Sequence, residues 1–125
     1  MTASPVAFPT PARFPDDVEV AVVAFNSRDT LPRVLDCLRA AHAPDERITI
    51  YDLGSTEPVS SWLPGERPHI QVKRLAANDG PNPGRNLAVR CAVRPYVLLV
   101  DADAYMKPDV PARLRTALDP AAKSG

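Results

Sequence analysis

The sequence predicts one α/β domain built on four mainly parallel strands with flanking helices. Short apolar, β-branched runs alternate with stretches in which apolar residues recur at helical spacing, a pattern typical of βαβ units. Right-handed crossovers then place helices on both faces of the sheet. The chain has 125 residues, which is enough for one small domain with its own core.

The strands are predicted from short apolar runs. Residues 18–25 are almost all apolar and β-branched, and 96–100 form a continuous apolar run typical of a strand buried on both faces. Two shorter strands are predicted at 47–52 and from residue 69 to about 75. The loops that follow the first, second and fourth strands are therefore expected to share one edge of the sheet.

Three helices are predicted at about 30–41, 83–93 and 108–118, with a short helical turn at 58–63. In the second helix we expect Asn82 as the N-cap, Pro83 at the first helical position, and Leu87 and Cys91 facing inward.

Composition sets further expectations. Residues 1–16 are expected to form a proline-rich arm, 17–119 the domain and 120–125 a tail. Cys37 and Cys91 lack a Cys or His at ligand spacing, so both are expected to be small buried apolar residues rather than disulfide or metal-binding cysteines.

The charge balance and the absence of targeting signals narrow the functional classes. The 15 Lys and Arg residues equal the 15 Asp and Glu residues, which argues against non-specific nucleic-acid binding. No apolar stretch has the length of a membrane span, and the start of the sequence does not resemble a secretion signal. The expected location is the cytoplasm, either free or at a membrane face.

The segment Asp101-Ala102-Asp103 follows the buried run 96–100 and carries the strongest functional signal. Two carboxylates at a strand end are expected to face a cleft, because burying them unpaired costs several kcal/mol. Such a pair suits a divalent cation bound to a diphosphate. Both carboxylates reach one ion only if the chain bends at Ala102, so we expect Asp103 to bind the metal and Asp101 to hold ribose or a metal-bound water. The alternative is a pair of helix-capping aspartates.

Two further segments carry weaker signals. Asp52 ends the second strand before Gly54-Ser55. It either accepts a hydrogen bond from a nucleobase or ribose, or forms an Asx-turn or a helix cap. The loop 78–86 contains Gly80 and leads into a helix near Arg85. This loop either binds an anion at the helix N-terminus or is an ordinary capped helix.

Taken together, these segments resemble the N-terminal half of family-2 glycosyltransferases, which have the Rossmann-like GT-A fold. The resemblance runs from about residue 18 to 118. Four segments carry it: Val23-Ala24-Phe25-Asn26, Asp52-Leu53-Gly54-Ser55-Thr56-Glu57, residues 78–88, and Asp101-Ala102-Asp103 with Pro108-Asp109 following. The third of these segments ends in Gly84-Arg85-Asn86-Leu87-Ala88. Ala24 stands where the family has a hydroxyl, and Leu53 stands where it has a second Asp.

The resemblance implies a site for a nucleoside-diphosphate sugar and a reaction that transfers the sugar, with inversion, to an unknown acceptor. Asp52 would read the base, Arg85 would lie near the base or diphosphate, Asp101 would hold ribose, and Asp103 would bind Mn²⁺ or Mg²⁺. The implied donor-binding residues are Ala24, Phe25, Asn26, Asp52, Ser55, Gly80, Arg85, Asp101 and Ala102.

Only 22 residues follow Asp103, so a truncated form of the fold is expected, without the family's acceptor half or catalytic base. The alternatives are a non-catalytic nucleotide-sugar-binding or interaction module, and, less favoured, a phosphatase-like hydrolase. Whether the chain is part of a transferase or a non-catalytic module, we expect a protein partner or self-association to cover an exposed sheet edge.

Overall fold

The computed structural model describes residues 13–76 and 80–119. The predicted tail and most of the predicted N-terminal arm lie outside these residues. Phe14 falls in the predicted arm but is only 2% exposed and packs in the core, so the packed unit includes it.

The four strands form one parallel sheet, as predicted. The strands are β1 (Val18–Ala24), β2 (Ile48–Asp52), β3 (Gln71–Arg74) and β4 (Tyr96–Asp101), in the order β3-β2-β1-β4. β1 lies at the centre, pairing with β2 on one side and β4 on the other. Its residues are all buried except Glu19, which is half-buried.

Three α-helices flank the sheet: α1 (Leu31–Ala40), α2 (Pro81–Cys91) and α3 (Val110–Ala117). Single 3-10 turns occur at Asp45–Arg47 and Val59–Ser61. The second of these turns lies within the predicted helical piece.

The predicted start of α2 is wrong. The N-cap is Gly80, not Asn82, and Pro81 rather than Pro83 begins the helix. Gly80 has a φ of 91°, which glycine adopts without steric cost. Both prolines fit the first turn because its N–H groups have no partner within the helix.

Side chains from alternate β1 residues enter two apolar clusters on opposite faces of the sheet. Val20 and Val22 pack with Leu31 and Leu35 of α1, whereas Ala21 packs on the α2 side. The predicted helices on both faces are therefore present. Among the residues that the structure describes, no helix is both long and apolar enough to cross a membrane.

The inward face of α2 differs from the prediction at one position. Leu87 packs against the cluster formed by Ala21, Tyr51 and Ala88, as expected. Cys91, the last residue of the helix, is exposed, so the prediction that it is buried is wrong. From Asn82 to Cys91, the part of this helix whose burial is described, the buried positions are Gly84 and Ala88, four residues apart.

Candidate functional site

A cavity of about 600 Å³ opens at the carboxyl ends of β1 and β4. The chain runs outward from β1 to β2 and β3 on one side, and then crosses through α2 to β4 on the other. This reversal of strand order leaves a crevice where ligands bind in open α/β sheets. The described lining residues are Val23, Phe25, Asn26, Ser27, Asp29, Thr30, Leu53, Gly80, Arg85, Asp101, Ala102 and Asp103.

The cavity brings together seven of the ten predicted site residues. They are Phe25, Asn26, Gly80, Arg85, Asp101, Ala102 and Asp103. The other three, Ala24, Asp52 and Ser55, are buried and do not line the cavity. A direct contact between these three and a donor stays a prediction.

The end of β4 presents two exposed carboxylates on either side of a buried residue. Asp101 and Asp103 are exposed while Ala102 is buried. The chain turns here, since the N–H of Ala104 donates to the carbonyl oxygen of Asp101 at 3.0 Å. This is the bend that two carboxylates separated by one residue need if both are to face one ligand.

Arg85 reaches from the second turn of α2 to the same place. Its Nη2 donates to Oδ1 of Asp101 at 2.9 Å, and both side chains remain partly exposed. Asp103 makes no ion pair within residues 13–76 and 80–119. Asp101 therefore has a cationic partner, whereas Asp103 lines the cavity without an ion-pair partner among the described residues.

The loop after β1 is held to the loop after β2 through Asn26. Asn26 has a φ of 49°, a left-handed conformation that asparagine tolerates better than most residues. Its N–H donates to Oγ of Ser55 at 2.9 Å, and its Oδ1 accepts from the N–H of Thr56 at 2.8 Å. Ser55 thus supports the cavity wall from behind.

Asp52 organises the loop after β2. Its Oδ1 accepts from the N–H of Ser55 at 2.9 Å, and its Oδ2 accepts from the N–H of Val59 at 2.9 Å and from Nη1 of Arg74 at 3.1 Å. Burial alone would raise the pKa of Asp52, but the hydrogen bonds from Ser55 and Val59 and the charge of Arg74 outweigh it and lower the pKa. Asp52 therefore binds the backbone of the loop that follows it, but through residues three and seven positions on rather than through the second residue, as an Asx-turn requires.

Leu53 was not predicted to belong to the site, yet it lines the cavity. Its N–H donates to the carbonyl oxygen of Ala24 at 2.8 Å, which continues the β1–β2 pairing past the strand end. Adjacent residues of an extended chain point in opposite directions. With Asp52 buried, Leu53 faces the cavity. The departure from the resembled segment at this position was the signal that could have identified it.

The acidic side of the cavity fits a divalent cation that shares its ligands with a phosphate. No group of three or more His, Cys, Asp or Glu side chains suited to a metal occurs among the described residues. Mg²⁺, however, is commonly held by one or two carboxylates together with substrate phosphates and water. Asp101 and Asp103 supply carboxylate oxygens of that kind.

Fold and cavity together define a protein class, an open parallel α/β domain with an acidic crevice at its switch point. Residues 19–123 match the sequence model of Glycosyl transferase family 2. The chain therefore belongs to this family.

Known proteins of related sequence or structure are longer. The succinoglycan biosynthesis protein ExoO of Rhizobium meliloti (strain 1021) is 26% identical over 110 residues, which are 87% of this chain and 31% of ExoO. The crystal structure of S. aureus TarS 1-349 superposes with a TM-score of 0.68 at 25% identity, over 80% of this chain and 31% of that one.

A mannosyltransferase from Pyrobaculum calidifontis, PcManGT, shares the fold. Its structure in complex with GDP-Man and Mn²⁺ has a TM-score of 0.65 at 22% identity and covers 88% of this chain and 35% of its own. TarS 1-349 has also been solved in complex with UDP-GlcNAc. This chain spans about a third of the length of these proteins, and the match confirms the predicted GT-A fold.

Proposed function

We propose that this chain is the donor-binding portion of a glycosyltransferase that transfers a sugar from a nucleoside-diphosphate sugar to an acceptor, with inversion and with Mn²⁺ or Mg²⁺. The carrying observation is the cavity at the β1–β4 switch point, which combines Asp101, Asp103 and Arg85. The nucleotide-sugar complexes of similarly folded proteins support this proposal.

The charges of the cavity suggest how the donor is divided among its residues. Asp103, without a cationic partner among the described residues, is the proposed ligand of the metal. Asp101 is oriented by Arg85 at 2.9 Å, which suits a carboxylate that accepts hydrogen bonds from ribose. The positive dipole end of α2 favours a phosphate as well. Pro81 and Pro83 carry no N–H, so Asn82 is the residue among the first three helical positions that can donate one.

The metal, when bound, would neutralise the charge that develops on the departing nucleoside diphosphate. The chain's own residues would hold the donor so that the anomeric carbon faces the open side of the cavity. None of the described residues is assigned as the base that activates the acceptor.

The first prediction concerns metal-dependent binding. Titration calorimetry with UDP and with GDP is expected to show binding in the presence of Mn²⁺ and much weaker binding with a chelator. Asp103→Asn keeps the side-chain volume but removes the charge, and we expect affinity to fall at least about tenfold, the scale seen even for groups one step removed from a metal. Asp109→Asn, which alters an aspartate outside the cavity, should bind like the wild type.

Two results would contradict the proposal. If no nucleoside diphosphate binds, the chain has no donor site. If affinity is the same with and without chelator, the metal has no role in binding. Binding without transfer to any acceptor would instead favour the non-catalytic binding module.

A further inference from the structure

The two carboxylates at the end of β4 line the same cavity but differ in their surroundings. The turn after Asp101 allows both Asp101 and Asp103 to face one ligand. Nη2 of Arg85 donates to Oδ1 of Asp101 at 2.9 Å, whereas Asp103 has no ion-pair partner within residues 13–76 and 80–119. Arg85 therefore distinguishes two aspartates that the sequence pattern leaves equivalent.

The packing of α2 holds Arg85 at this place. At Gly84, the residue before it, an added Cβ would fall 2.9 Å from Cδ2 of Leu53 and 3.6 Å from Cγ1 of Val23. The helix backbone next to Arg85 thus lies directly on the wall of the cavity, with no side chain of its own between them. The position from which the guanidinium reaches Asp101 is therefore fixed by a packed helix rather than by an exposed loop.

Among the described residues that line the cavity, Arg85 is the one cationic side chain. A guanidinium and a divalent cation compete for the same carboxylate, because their positive charges repel each other at such a short separation. A metal ion that enters the cavity thus meets one aspartate that is already paired and one that is not. The side chains of Arg85 and Asp101 are 37% and 57% exposed, so solvent weakens this pair and the preference that it creates is finite.

We propose that Arg85 is a positioning residue that keeps the metal off Asp101, so that Asp103 binds the metal and Asp101 stays available to ribose. This inference rests on the proposed function, because it explains how two roles are divided within that donor site. Without the guanidinium, Asp101 should join Asp103 as a second metal ligand, since divalent cations are commonly held by one or two carboxylates. Arg85 thus lowers the affinity for the metal alone and raises the selectivity for ribose.

The first experiment measures the Kd for Mn²⁺ without nucleotide, from the electron paramagnetic resonance signal of the free ion. The proteins are the wild type, Arg85→Met, Asp101→Asn and the double variant. We expect Arg85→Met to bind Mn²⁺ more tightly than the wild type. We also expect Asp101→Asn to cost at least about fivefold more affinity in the Arg85→Met background than in the wild type, the factor that corresponds to a favourable exposed ion pair.

Long-range effects of each lost charge act in both backgrounds and cancel in that ratio. Arg33→Met provides a matched control, because Arg33 lies over the ring of Tyr105 and does not line the cavity. Its substitution should change the Kd for Mn²⁺ by less than about twofold at physiological ionic strength, where separated charges are largely screened.

The second experiment measures the selectivity for ribose. With Mn²⁺ present, the wild type should prefer UDP to the analogue that lacks both ribose hydroxyl groups by about tenfold or more, the scale of a hydrogen bond to a charged acceptor. Asp101→Asn and Arg85→Met should both reduce this preference, the second because Asp101 then binds the metal. If Arg85 only supported the fold, its loss would weaken both nucleotides equally.

The outcomes separate this inference from the function on which it rests. If no nucleoside diphosphate binds in the presence of Mn²⁺, the proposed function fails and the inference fails with it. If UDP binds with Mn²⁺ but Asp101→Asn costs the same metal affinity in both backgrounds, the donor site stands and the inference is overturned. An Arg85→Met variant that binds Mn²⁺ no more tightly than the wild type, or that keeps the full preference for ribose, overturns it as well.

Discussion

Asp52 shows how much one residue's role depends on the direction of its side chain. Its place at the end of β2 was predictable, because a strand rich in β-branched residues ends there. Whether the carboxylate or the next side chain enters the cavity was not. The segment alternates, which places Asp52 on the same face as Ile48 and Ile50. Both faces of β2 are covered, however, so the alternation does not tell which face opens onto the cavity. The structure assigns the buried position to Asp52 and the cavity to Leu53.

Replacing Asp52 tests this structural role. Asp52→Asn removes the charge that faces Arg74 and places an amide NH₂ among N–H donors. We expect the free energy of unfolding at neutral pH to fall by about 2 to 3 kcal/mol, the scale of hydrogen bonds to a charged group. Urea unfolding followed by circular dichroism measures this loss. Glu66→Gln, which neutralises an exposed acid, should leave stability unchanged within about 0.5 kcal/mol.

The pH dependence of that loss has a definite sign. The pKa of Asp52 in the folded state lies below its ordinary value of 3.8. Its contribution to stability is therefore fully present above the unfolded-state pKa and is lost as the pH falls through the lower, folded-state pKa. The difference between wild type and Asp52→Asn should narrow below about pH 4. A difference that stays constant down to acid unfolding would show that Asp52 is not stabilised as a carboxylate.

At the scale of elements, the strand and helix positions were predictable within about two residues. β4, for example, was expected at 96–100 and ends at Asp101, because an apolar run flanked by Pro95 and an acid has clear limits. The N-cap of α2 was not predictable to the residue, since Gly80, Pro81, Asn82 and Pro83 offer two equally plausible N-termini. A propensity argument cannot choose between two prolines that both fit a first turn.

The approach of α2 to the end of β2 provides an element-scale prediction. At an open helical position Gly→Ala stabilises by about 1 kcal/mol, but at Gly84 the new methyl group would collide with Leu53. We expect Gly84→Ala to stabilise by much less, or to destabilise. In a Leu53→Ala background the obstruction is gone, and the same substitution should approach its ordinary gain.

The test is a double-mutant cycle of the wild type, Gly84→Ala, Leu53→Ala and the double variant. Thermal or urea unfolding of these four proteins gives the coupling energy between the two substitutions, which we expect to exceed about 0.5 kcal/mol. The control has to be a glycine that no side chain covers. Gly65→Ala is suitable, since a Cβ there meets no atom within 4 Å, and it should show no coupling to Leu53. Additive effects of Gly84→Ala and Leu53→Ala would mean that α2 moves away freely.

For the whole molecule, the parallel sheet was predictable from the alternation of strands and helices, but the strand order was not. A crossover through α2 could have placed β4 beside β3 or beside β1 without changing the hydrophobic pattern. Only the arrangement with β4 beside β1 creates the switch point that opens the cavity. It also makes β4 an edge strand although its sequence, Tyr96–Asp101, is that of a buried one.

The two edges of the described sheet therefore differ, and this difference leads to the last prediction. β3 carries Lys73 and Arg74, charges that discourage pairing of an edge strand. β4 carries none before Asp101. Its Leu99 is 41% exposed, and Leu114 and Leu118, which line a surface cavity together with Leu98 of β4, are each 49% exposed. We expect this 125-residue polypeptide to associate with itself through the β4 edge as its concentration rises.

Sedimentation velocity from micromolar to submillimolar concentration tests this association. Leu99→Lys places a charge on the β4 edge and should shift the population towards monomer, because burying an unpaired ammonium in an interface is costly. Val93→Lys adds the same charge at a more exposed site before the strand and should associate like the wild type. A wild type that stays monomeric over the whole range would show that the β4 edge does not mediate self-association. Equal dissociation by both variants would show the same, because Val93 lies outside the strand.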